Sequence, residues 1–196
     1  MGSSLAEQFI AEILGEFPSF RIVPKAGNRF SRAIDLALRL VTLNGQRRYL
    51  SHYHTVIGDT LYVPASWDAM RDVDRVILLR HERVHLRQRR RYGFPLMAFL
   101  YLVPFAPLGL AYFRARIEWE AYEETIRATA EHYGLDAVKN GRLESELVAR
   151  FVGPDYGWMW PFPRRIRRWY AEALSAVERE AREHQGRPPR SAAWRS

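Results

Sequence analysis

A chain of 196 residues suits one domain with a proper hydrophobic core, and 47% hydrophobic with 27% charged residues argues against a disordered or fibrous chain. The absence of cysteine excludes disulfide scaffolds, thiolate zinc sites, iron–sulfur clusters and cysteine nucleophiles, so any transition-metal site must draw on His and carboxylate ligands. The net charge of +8 is almost wholly arginine, since Lys25 and Lys139 are the only lysines; such forks favour phosphate and carboxylate partners, but the charge alone names no specific one.

In chain order, residues 4–15 have the spacing of a short amphipathic helix, with Ser3 or Ser4 placed to cap it. The same start lacks the basic lead and long apolar run of a secretory signal, and Ala6 stands where myristoylation needs Ser or Thr, so a cytoplasmic setting is expected. Residues 20–23 suggest a strand stopped by Pro24, and Ile34, Leu38 and Val41 suggest a helix over 31–41. Residues 49–57 and 60–63 are rich in aromatic and β-branched types and flank Gly58-Asp59, which predicts an antiparallel hairpin ended by Pro64. Asp68 or Asp72 then caps a long helix that runs to about Tyr92 and closes at Gly93. A second long helix is predicted over 113–133, closed by Gly134, with others over 143–151 and 164–183 and a flexible tail over 187–196.

Inside the helix that follows the hairpin stands His81-Glu82-Arg83-Val84-His85, an HExxH motif. Residues four apart lie one above the other on a helix, about 6 Å apart, so both imidazoles can converge on one zinc at ~2.0–2.1 Å. Glu82 is offset around the helix, placed to hold a water at the metal and take its proton as general base. The motif continues Leu86-Arg87-Gln88-Arg89-Arg90-Arg91, without a third histidine at metzincin spacing, so the third ligand is expected to be a carboxylate from a later helix. The segment from Arg116 to Glu124 offers Glu118, Glu120, Glu123 and Glu124. Glu120 shares a stripe with Arg116, Glu124 and Arg127, which reads as a charged, solvated face. Glu118 shares its stripe with Ala115, Ala121, Tyr122 and Thr125, an inward-facing set on which a carboxylate needs a partner, and it is preferred.

His81-Glu82-x-x-His85 followed by Glu118-x-x-Ala121 resembles the gluzincin arrangement of HtpX-like and CAAX-prenyl-protease-like metallopeptidases, which carry HExxH and then ExxAD. The resemblance covers two helices and implies a single zinc held by His81, His85 and Glu118, with Glu82 as general base. Tyr122 stands where that pattern has Asp. The expected fold is therefore α+β: one helix-rich zincin-like domain over 1–186 with one small antiparallel sheet. The expected function is zinc-dependent hydrolysis of a peptide or protein substrate.

Three other features have separate readings. His52 and His54 share a strand face and read as lining a sheet surface or cleft, and His132 lies about 21 Å along the helix from Glu118, too far to join its site. Residues 94–113 carry no charge over the nominal length of a membrane span, but Pro95, Pro104 and Pro107 interrupt them. A full crossing would also part the two histidines from Glu118, so the segment is expected to return, as a buried connection or as a peripheral membrane contact. Arginine clusters at 87–91 and 164–168 come with no nucleic-acid motif, so no specific nucleic acid is expected. The alternative function is a membrane- or nucleic-acid-binding module with a structural or vestigial zinc site.

Overall fold

The first helix, α1 (Leu5–Glu16), starts where the Ser4 side chain accepts from the Glu7 amide and the Glu7 carboxylate accepts from the Ser4 amide, a reciprocal capping box. The structure, a computed structural model, describes residues 2–25, 55–102, 111–153 and 160–186. After α1 come β1 (Arg21–Pro24), β2 (Thr55–Ile57) and β3 (Thr60–Val63). A 3-10 turn (Ala65–Trp67) leads into α2 (Asp72–Tyr92), followed by α3 (Phe94–Leu102) and α4 (Tyr112–Tyr133). The chain continues through α5 (Leu135–Lys139), α6 (Arg142–Val152) and α7 (Pro163–Gly186). The predicted helix over 31–41, the strand residues 49–54 and the tail at 187–196 lie outside the described residues.

The hairpin forms as its sequence requires. Ile57 pairs with Thr60 across Gly58-Asp59, and Gly58 adopts φ +61°, a left-handed conformation that glycine accepts without steric cost. The expectation of an antiparallel sheet is corrected by β1, which joins β3 in parallel, Arg21 opposite Thr60 through Pro24 opposite Val63. The sheet is thus mixed, in the order β1-β3-β2. Local pattern fixed the hairpin, but the side on which β1 arrives depends on a connection of some thirty residues, which no local pattern encodes.

Neither Asp68 nor Asp72 caps α2. Arg71 occupies the cap position and makes no side-chain cap bond. Asp72, the first helical residue, instead accepts from the Ala6 amide of α1 at 3.3 Å, so its carboxylate serves two helix starts at once. Gly93 and Gly134 close α2 and α4 as expected, with positive φ of 75° and 84°.

Two apolar clusters flank the α2–α4 contact, the most extensive in the fold. One joins α1, the sheet and α2 through Ile13, Phe17, Leu61, Leu79 and Leu86. The other joins α4 to α7 through Trp119, Ile126, Leu147, Phe151 and Ile166. Within the uncharged segment at 94–113, α3 is described to Leu102 and α4 starts at Tyr112 after a non-helical cap at Ala111, while residues 103–110 lie outside the described residues. No helix among the described residues is long and apolar enough to cross a membrane.

Candidate metal centre

The seam between α2 and α4 brings His81, His85 and Glu118 together, with one ligand atom of each within 4.8 Å of the others. The two Nε2 atoms are 3.3 Å apart, and Glu118 Oε2 lies 4.0 Å from His81 Nε2 and 3.8 Å from His85 Nε2. A point equidistant from these three atoms is about 2.2 Å from each, against ~2.0–2.1 Å for zinc–nitrogen bonds. Drawing the Glu118 carboxylate in by roughly half an ångström turns the planar triangle into three corners of a tetrahedron and leaves the fourth corner open. The donor set, two imidazoles and a carboxylate, is one zinc accepts.

The outer nitrogens decide what the inner ones present. Gln88 donates its amide to the Ile117 carbonyl at 2.9 Å and to Glu120 Oε2 at 2.8 Å, which turns its Oε1 toward His85 Nδ1 at 2.9 Å. The Thr125 hydroxyl donates to the Ala121 carbonyl at 3.2 Å, so its oxygen accepts from His81 Nδ1 at 3.0 Å. Both Nδ1 atoms thus have an acceptor on the outer side, and the two Nε2 atoms face each other beside a buried carboxylate. Anchoring the outer N–H in this way is also what fixes the tautomer and ring of a metal-ligating histidine.

Glu82 is buried on α2, and its pKa is pushed up to about 7. Desolvation is the main cause; the His85 imidazole opposes it, Glu118 adds to it, and the nearby buried Lys25 pulls it back. A carboxyl held near neutrality both takes and returns a proton at physiological pH.

Of the acidic candidates on α4, Glu118 reaches the histidines, and Glu124 pairs with Arg80 and Arg127 as its charged stripe implies. Glu120 departs from the solvated role expected for it: it is half-buried and holds Gln88. Tyr122 packs in the core with its ring edge-on to His81 at 4.8 Å, while its hydroxyl accepts from Arg150 at 3.1 Å. His132 sits in the last turn of α4, far along the helix, and His52 and His54 lie outside the described residues. Sequence reasoning missed Gln88 and Thr125 as orienting partners. The signal was there in part, since Gln88 is three residues beyond His85 and Thr125 two turns beyond Glu118 on the same stripe. No protein-family model, curated protein or solved structure matches the chain.

Proposed function

We propose that the protein is a zinc-dependent metallopeptidase of gluzincin type, with His81, His85 and Glu118 holding one zinc and Glu82 as general base. The observation that carries this reading is the pair of Nε2 atoms 3.3 Å apart beside Glu118 Oε2, with both outer nitrogens tied down by Gln88 and Thr125. The order hairpin, HExxH helix, carboxylate helix supports a zincin-like arrangement, and β2, an edge strand among the described residues, packs on α2 where an extended peptide would add to it. When bound, zinc supplies Lewis acidity toward the scissile carbonyl and toward water. Glu82 accepts the proton of the attacking water and delivers it to the leaving amine, a role its burial on α2 beside the ligand histidines supports. Gln88 and Thr125 hold the two rings in register throughout, so no reorientation is needed during turnover.

The test is metal content and proteolysis of wild type and Glu82→Gln on a peptide library. One zinc per chain is expected in both, with hydrolysis falling by about 10²–10⁴-fold in the variant. Wild-type protein that holds no zinc after dialysis against it, or a zinc-loaded Glu82→Gln that cleaves at the wild-type rate, would refute the reading.

A further inference from the structure

We propose that an aromatic ridge across the starts of α4 and α7 docks the protein peripherally on the surface of an anionic lipid bilayer. The ridge is continuous. The Phe113 and Tyr112 rings are 5.7 Å apart, Tyr112 and Trp160 are 5.3 Å apart, and Trp160 and Phe162 are 5.0 Å apart. It is also outward-facing, with Tyr112 41%, Phe113 44% and Phe162 45% exposed. Proteins that stay in water seldom present contiguous apolar surface of this kind. The preceding helix α3 packs against both α2 and α4 and exposes two more large apolar side chains, Leu96 at 48% and Phe99 at 54%, one helical turn apart.

Charge is what identifies the occupant. Trp160 and Phe162 share an open groove of about 480 Å³ with Arg164, Arg165 and Arg168. The arginines of 83–91 are largely engaged by Glu16 and Asp59, and Arg168 lies 3.6 Å from Glu172, whereas residues 156–171 themselves carry no Asp or Glu, so the groove arginines keep a net positive charge beside the ridge. Aromatic rings rest at headgroup depth and arginines are drawn to an anionic leaflet, so the rings and the arginines of the groove address the two layers of one interface. A nucleic-acid strand would use the arginines and could stack on the rings, but the exposed Leu96 of α3 offers it neither charge nor a stacking face. A second copy of the chain would bring like-charged arginine rims face to face in a two-fold dimer.

The test is co-sedimentation of the full chain with vesicles of phosphatidylcholine alone and with about one third phosphatidylglycerol. Binding to the mixed vesicles is expected to be at least about tenfold tighter than to the neutral ones. The double variant Phe113→Ser/Phe162→Ser is expected to lose that binding by about tenfold or more, and Arg164→Gln/Arg168→Gln to lose the preference for anionic lipid. In case the serine variant fails to fold, quenching of wild-type tryptophan emission by brominated acyl chains reads insertion without any substitution. No sedimentation with mixed vesicles, or no quenching, overturns the proposal. It is equally overturned by binding that survives the serine substitutions and is competed by an oligonucleotide, which would mark a polyanion site. A solution dimer that the serine substitutions dissociate would mark a self-association face and overturn it too.

Discussion

Replacing Gln88 by Met keeps the volume and the apolar stem but removes every hydrogen bond this residue makes. In the wild type the Gln88 amide ties together three groups: His85 Nδ1, the Ile117 carbonyl and the Glu120 carboxylate. In Gln88→Met, His85 Nδ1 loses its partner, so the imidazole is free to rotate and its Nε2 is no longer held toward Glu118. Losing an orienting partner of this kind lowers metal affinity by about 10–100-fold, or about 1.4–2.7 kcal/mol. A separate cost falls on the metal-free fold. The buried Ile117 carbonyl loses one donor and the half-buried Glu120 loses its own, which together destabilise by about 1–3 kcal/mol. The two effects separate experimentally: zinc competition against a chromophoric chelator reads the first, and thermal unfolding of the metal-free protein reads the second. Histidine anchoring would be refuted by a variant that unfolds earlier without zinc yet binds zinc with wild-type affinity. In that case Gln88 would be only a structural tie between α2 and α4.

Two further outcomes follow from the same geometry and from the way α1 is tied to α2. Glu118→Gln is expected to weaken zinc binding far more than Glu120→Gln, because Glu118 faces both Nε2 atoms whereas Glu120 acts at one remove through Gln88; equal affinities in a chelator competition would put the wrong carboxylate at the metal. Glu16, held by Arg87 with Arg83 and Arg90, has its pKa lowered from 4.5 to about 2, chiefly by the Arg87 hydrogen bond. A carboxyl with a depressed folded-state pKa stabilises above its unfolded value and loses that contribution as pH falls from about 4.5 toward 2. After screening at this partly solvated site, Glu16→Gln is expected to cost about 1–2 kcal/mol at pH 7 and nothing near pH 2; urea unfolding that shows the same deficit at both pH values would contradict the assignment.

The legible parts of this molecule are those whose cause is local. Ser4 with Glu7 is a capping box in four consecutive residues, and Gly58, Gly93 and Gly134 mark their turn and helix ends because only a left-handed backbone fits there. Asp72 shows the opposite case. It looked like a cap, but its carboxylate is drawn to the Ala6 amide 66 residues away, and the reward for serving that helix start is invisible in the local pattern. The short helix α5 likewise went unpredicted, since five residues between Gly134 and Asn140 carry too few periodic positions to signal a helix.

For the site, helical periodicity was sufficient to bring His81 and His85 to one face and to set Glu118 apart from its acidic neighbours, because both depend on spacing along a single helix. What only the tertiary structure decided is how those helices meet. Packing α2 on α4 draws Glu120 out of its charged stripe to Gln88 and places Thr125 under His81, which anchors both imidazole rings. Enclosure of Glu82 in the same contact supplies the desolvation that raises its pKa. Residue types and spacings are written along one chain, whereas orientation, tautomer and dielectric arise between elements and exist only once those elements pack.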